Sequence, residues 1–384
     1  MTVPDQSVFF NQSTAPLPPS ADTSQIQTFH RQLPSYAPTP LIPLEGVAKK
    51  LGVKSVFLKD ESNRLGLPSF KILGASWGTY RALVSQLGLS QDLPLTDVAQ
   101  AAHKNRIALF AATEGNHGRA VAAMAKMLNL PAHIYLPSTV SPADVKLIAQ
   151  EGAEVILVES HYDDAISKAF SAAASTEGGL LVQDNSFEGY EQIPACIVEG
   201  YSTLLTEVSQ QLSEQGLDAA TLIVSPVGVG SLAHAVVAHC KGKGRQCRVM
   251  SVEPDSAPCL HHSLKAGRSV PIDTSKASIM DGLNCGTVSM AAFKDLQAGV
   301  DISVVVSDIE SHQAVQFLKE AGVGIGPCGA ATLAALWKLR DAETIQSRGF
   351  LSEDAAIVLL GTEGQREYQV PVPNSNVGAA TAEA

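Results

Sequence analysis

Short, mostly apolar runs alternate with alanine-rich stretches of helical spacing through most of this chain. That alternation constrains the fold more than any other feature. Residues 56–59, 107–111, 132–136, 154–158, 180–183, 221–225, 248–252 and 357–360 are too short for helices and too uniformly apolar for strands with one wet face. Residues 74–84, 118–128, 142–151, 231–240 and 330–339 read as helices. Buried strands joined through helices imply a mostly parallel, twisted sheet covered on both faces, so the expected fold class is α/β. Two such strand–helix series flank a polar stretch at 184–199, which suggests two lobes. The 384 residues, 45% of them hydrophobic, are enough to fill both. Residues 1–35, dominated by Pro, Ser, Thr and Gln, read as a poorly ordered N-terminal arm. Residues 373–384 read as a flexible tail.

The formal net charge of −11 argues against a nucleic-acid partner. Six scattered cysteines without a C-x-x-C spacing suit free thiols in a reducing compartment. No run approaches the ~18 apolar residues of a spanning helix, and the first thirty residues lack a signal-peptide core. A cytoplasmic protein with no membrane partner is expected. His261 and His262 have no third ligand at metal spacing, so no metal site is assigned.

Three motifs carry chemistry. Phe70-Lys71 opens a helical segment, where the positive end of the helix disfavours an ammonium and makes the amine easier to deprotonate. The plain alternative is a solvated lysine. Thr113-Glu114-Gly115-Asn116-His117-Gly118 joins a buried strand to a helix, and backbone N–H groups at such a start bind anions. The alternative is an ordinary capped turn, with His117 a buried structural histidine. Gly228-Val229-Gly230-Ser231 follows another apolar strand and opens another helix, a setting suited to phosphate. A dinucleotide fingerprint competes there, with Ala233 in place of the third glycine, but the other two motifs favour a different ligand. An amine, an Asn-centred loop and a Gly-rich turn together suit an aldehyde cofactor that carries a phosphate. Cys328, at the start of residues 330–339, reads as buried packing.

These motifs, with Gln183-Asp184-Asn185-Ser186-Phe187-Glu188-Gly189-Tyr190, Gly326-Pro327-Cys328-Gly329-Ala330 and Gly361-Thr362-Glu363-Gly364, resemble the fold-type II (tryptophan synthase β-like) pyridoxal phosphate enzymes. Within that group the chain looks like the diaminopropionate ammonia-lyase branch, over roughly residues 36–370. The resemblance implies a smaller lobe, 76–183, inserted into a larger cofactor lobe made of 36–75 and 184–372. It implies pyridoxal 5'-phosphate as cofactor, a small amino acid as substrate and a homodimer. Lys71 would form the Schiff base, Phe70 would wall the ring and Asn116 would bond the ring hydroxyl. Gly228, Val229, Gly230 and Ser231 would hold the phosphate. Thr362 would face the pyridine nitrogen with a neutral hydroxyl, which suits elimination over transamination. Thr113, Glu114, Gly115 and His117 would receive the substrate carboxylate. Asp184 and Glu114 would be the acid–base pair, from different lobes and on opposite substrate faces. The family usually has aspartate where this chain has Glu114.

The implied reaction is α,β-elimination, with 2,3-diaminopropionate giving pyruvate and ammonia. Two alternatives stand beside it. One is elimination or β-replacement on serine, threonine, hydroxyaspartate or a specialised amino acid. The other is a non-catalytic small-molecule-binding regulator, against which the intact Lys71 argues.

Overall fold

The computed structural model describes residues 7–15, 17, 23–159, 162–242, 247–342, 344 and 349–372. Its strands are β1 (Val8–Phe10), β2 (Leu41–Pro43), β3 (Ser55–Asp60), β4 (Ala108–Ala112), β5 (Ala132–Pro137), β6 (Glu154–Val158), β7 (Gly179–Leu181), β8 (Leu222–Pro226), β9 (Arg248–Pro254), β10 (Ile302–Val306) and β11 (Ala356–Gly361). Seven form one sheet in the order β1-β10-β9-β8-β11-β3-β2, and four form another in the order β6-β5-β4-β7. From β10 to β3 every pairing is parallel. Antiparallel β1 and β2 add the two edges. The smaller sheet is parallel throughout.

The physical reason is burial on both faces. All residues of β8, β10 and β11 are buried, so none of these strands shows polar alternation. Central β11 sets Leu359 beside Leu58 on one side and Val224 on the other.

The expected N-terminal arm is corrected in its described part. Val8 pairs with Val304, and Phe10 with Ile302. A helix at Ser24–Arg31 buries Ile26 and Phe29. Apolar residues three apart on one helix face outweigh the polar composition around them. Residues 373–384, expected as a flexible tail, lie outside the described residues. Strands of the smaller sheet fall between 108 and 181. The helix Lys71–Gln86 runs across the lobe boundary expected at 75/76, with residues 72–80 buried without a break. Among the described residues, no helix is long and apolar enough to cross a membrane.

A buried ionic network braces the loop that leads from β3 to Lys71. Lys59 Nζ lies 2.8 Å from Glu207 Oε2. Arg64 reaches Glu207 Oε1 at 2.7 Å and Glu61 Oε1 at 2.6 Å. Burial alone would raise the pKa of Glu207, but Arg64 and Lys59 hold it at about 2. Because the folded value lies below the ordinary 4.5, the stabilisation is present above pH 4.5 and is lost as pH falls toward 2. Glu207→Ala leaves buried Lys59 without its ion-pair partner and Arg64 with Glu61 alone. We expect it to cost about 3–5 kcal/mol in urea unfolding at pH 7. The cost should shrink in acid, and a wild-type-like midpoint at pH 7 would contradict the network's role.

Candidate active site

The site is assembled at the carboxyl ends of parallel strands, where open α/β sheets hold ligands. Three loops follow three neighbouring strands of the larger sheet. The loop after β3 leads to Phe70 and Lys71, β8 leads to Gly228–Ser231, and β11 leads to Thr362 and Glu363. From the smaller sheet, β4 leads to residues 113–117 and β7 to Asp184. Every site residue singled out from the sequence lines this one cleft.

One expectation about their arrangement is overturned. Glu114 and Asp184 do not come from different lobes. Their loops leave β4 and β7, which pair directly as Leu109 with Leu180 and Phe110 with Leu181. The sequence boundary at 183/184 cut through the end of a single sheet.

Lys71 is the first residue of its helix, and its Nζ donates to Asp184 Oδ2 at 2.5 Å. The expectation of an easily deprotonated amine therefore fails. Burial, the largest single influence, disfavours the ammonium, but Asp184, with Tyr201 and Cys285 beside it, outweighs burial, and the pKa of Lys71 is raised. Burial would likewise raise Asp184, yet His117 and Lys71 beside it hold its pKa at about 2. The carboxylate is thus ionised at neutral pH while only 4% exposed.

His117 is buried, and burial lowers its pKa, so the neutral ring prevails near pH 7. Its Nε2 lies 3.0 Å from the Val182 carbonyl, which places the ring proton there. Its Nδ1 faces Asp184 Oδ2 at 3.7 Å and has no hydrogen-bond partner. The ring holds the Asp184 loop against the helix Asn116–Leu128.

Asn116 spans the cleft. Its Nδ2 donates to Glu363 Oε2 at 3.2 Å, and Glu363 Oε1 accepts from the backbone N–H of Cys328 at 3.1 Å. A carboxylate thus stands next to Thr362 in the cleft wall, so the neutral hydroxyl is not the sole polar side chain at the end of β11. Cys328 is buried, and burial followed by the charge of Glu363 raises its pKa well above the ordinary value. It stays a thiol.

The turn after β8 fits a phosphate. Among the described residues, the N–H groups of Gly228, Val229, Gly230 and Ser231 have no acceptor in the protein. Gly230 adopts φ +96, a conformation that side chains rarely take. A Cβ there would lie 2.8 Å from Leu296 Cδ1. Ser231 then opens the helix Ser231–Lys241, adding the positive end of its dipole. N–H groups without protein acceptors at a helix start suit an anionic oxygen group.

Several cleft residues carried no role in the sequence reading. Glu363 lies within Gly361-Thr362-Glu363-Gly364, and only the fold aims it at Asn116. Tyr162 lines the cleft, and its hydroxyl accepts from Gln183 Nε2 at 2.8 Å. Cys285 and Arg366 also line it, from segments without a recognisable motif.

A family model described as "Pyridoxal-phosphate dependent enzyme" matches residues 33–361. The diaminopropionate ammonia-lyase of Escherichia coli (strain K12) is 30% identical, over 94% of this chain and 93% of its own. That of Salmonella typhimurium (strain LT2) is 31% identical, over 88% of each. A crystal structure of the Escherichia coli diaminopropionate ammonia lyase, in complex with an aminoacrylate-PLP azomethine reaction intermediate, superposes with a TM-score of 0.83 at 29% identity. It covers 93% of both chains.

The chain belongs to the pyridoxal-phosphate dependent enzymes, of fold type II, and pyridoxal 5'-phosphate is its cofactor. It is a lyase similar to the diaminopropionate ammonia-lyases, and its substrate class is the amino acids.

Proposed function

We propose that this lyase eliminates the β-amino group of 2,3-diaminopropionate, giving pyruvate and two molecules of ammonia. The observation that carries the reading is the Lys71–Asp184 contact, set in a cleft that also holds the Glu114 carboxylate. Likeness to diaminopropionate ammonia-lyases over nearly the whole chain supports the choice of substrate.

Lys71 is the lysine that carries the cofactor. Gly228, Val229, Gly230 and Ser231 would hold its phosphate, Phe70 would wall the ring, Asn116 would bond the ring hydroxyl and Thr362 would face the pyridine nitrogen. Pyridoxal phosphate, when bound, supplies the electron sink for the charge that develops at Cα. The backbone of the loop through Thr113, Glu114, Gly115 and His117 would receive the substrate carboxylate at the helix start. Asp184, ionised throughout the neutral range, accepts the Cα proton or takes it through Lys71 Nζ, and Glu114 is the second acid–base group. The β-amine leaves as ammonia. The released 2-aminoacrylate reacts with water to give pyruvate and the second ammonia.

On this reading the segment that carries β4 to β7, with the Asp184 loop at its end, is inserted as the smaller lobe into a larger one built from the residues on either side. The protein is a cytoplasmic homodimer. All six cysteines are free, which supports a reducing compartment.

A panel of 2,3-diaminopropionate, serine, threonine and hydroxyaspartate, assayed for keto-acid release, tests the substrate. The highest kcat/KM is expected with 2,3-diaminopropionate, and a clear preference for a hydroxy amino acid would overturn the reading. The phosphate turn has its own test. Gly230→Val combines a strained φ with a close contact at Leu296. We expect it to weaken pyridoxal phosphate binding about tenfold or more, read by titration of the visible absorption. Unchanged affinity would place the phosphate elsewhere.

A further inference from the structure

Tyr201 lies between the helices Gln192–Gly200 and Ser202–Glu214 and is fully buried. Its ring packs on Phe70, the neighbour of Lys71, with centroids 4.8 Å apart and planes inclined by 58°. The Lys71 helix is shaped to admit it. Gly74 follows Lys71 by three residues, and a Cβ there would come within 2.5 Å of the Tyr201 ring. Glycine inside a helix is destabilising, so this position gives up helix stability to seat the ring.

The hydroxyl at the end of that ring is buried and makes no hydrogen bond of full geometry, although Ser231 and Lys71 lie within its reach. An unsatisfied buried hydroxyl is costly, and its surroundings show what it is aimed at. Lys71 and Ser231 are the polar side chains that face it, with the Asp184 charge beyond. Burial pushes the phenol up to about 12, so it remains protonated at neutral pH. Lys71 in turn faces Asp184, Tyr201 and Cys285, with His117 nearby. Cys285 is held as a thiol by burial and by Glu114. The ammonium of Lys71 has more than one proton to donate, and Asp184 takes one of them.

We propose that Tyr201 is a positioning residue whose hydroxyl oxygen accepts a second hydrogen bond from the Lys71 ammonium while its proton points to Ser231. It thereby stabilises the charged amine and fixes its aim between Asp184 and the phosphate turn. The inference rests on Lys71 being the lysine that carries the cofactor.

The test is the rate at which the full chain, freed of cofactor, attaches pyridoxal phosphate at pH 8. Attachment needs the neutral amine, so removing an acceptor of the ammonium speeds it. Tyr201→Phe is expected to attach about three- to tenfold faster than wild type. A role in packing alone would leave the rate unchanged or slow it, and either result overturns the proposal. If Tyr201→Phe does not fold, 3-fluorotyrosine at position 201 keeps the shape and weakens the oxygen as an acceptor. It is expected to move the rate in the same direction by a smaller factor, and no movement overturns the proposal. A wild-type chain that attaches no pyridoxal phosphate would instead sink the underlying assignment of Lys71.

Discussion

Lys71→Ala is expected to abolish the visible absorption of the bound cofactor and to lower turnover by roughly 10⁴-fold or more. Among the described residues lining the cleft, Lys71 is the only lysine. Lys59 lies buried in the network around Glu207 and Arg64, so it cannot substitute. Loss of Lys71 also frees Asp184 from its 2.5 Å partner and leaves a buried carboxylate facing the neutral His117 ring. The variant should therefore show a second effect, a raised Asp184 pKa, since removing the ammonium removes one of the charges that lower it. Borohydride reduction of the wild type followed by peptide mapping checks the assignment. A trapped linkage at another lysine, or a yellow and active Lys71→Ala protein, would contradict it.

Asp184→Asn is expected to reduce turnover of L-2,3-diaminopropionate about a hundredfold or more, while Glu114→Gln reduces it less. Asparagine keeps the shape but cannot take a proton, and it removes the charge that pairs with Lys71. Glu114 carries one methylene more than the aspartate usual in the family, and a base displaced by about an ångström loses on the order of a hundredfold in rate. A preference for the L enantiomer is therefore expected. Glu114 and Asp184 leave adjacent strands, so any division of labour between enantiomers depends on where each carboxylate points, not on separate lobes. Kinetics of both variants on both enantiomers decide the matter. An Asp184→Asn protein active on the L form, or equal wild-type rates on the two forms, would count against this assignment.

The parallel core was legible because strands buried on both faces leave an unmistakable apolar signature. The runs at 107–111, 221–225 and 357–360 each lie within one residue of β4, β8 and β11. Edge strands leave less trace. The three-residue β1 and β2 have only one neighbour each, and nothing in their length separates them from loop. The polar composition of residues 1–35 concealed the Ser24–Arg31 helix, whose stability comes from packing Ile26 and Phe29. In the site, residues on strand-to-helix turns were legible because backbone chemistry dictates those turns. Lys71, Asn116 and Gly230 belong to this class. Tyr201 and Glu363 were not legible, since their aim depends on helix packing around Gly74 and on the pairing of β11 with β3. The pKa of Lys71 was misjudged for the same reason. A helix terminus is a local feature, whereas Asp184 arrives from another strand 113 residues away.

The most direct test of the central claim is the ratio of ammonia to pyruvate released from L-2,3-diaminopropionate by the yellow, purified protein. Elimination of the β-amine followed by hydrolysis of 2-aminoacrylate requires two ammonia for each pyruvate. A ratio of two, lost in Lys71→Ala, is the expected result. One ammonia with a new amino acid and no pyruvate would mean β-replacement, and a colourless protein that releases neither product would mean a binding protein on the same scaffold. Either outcome would contradict the account.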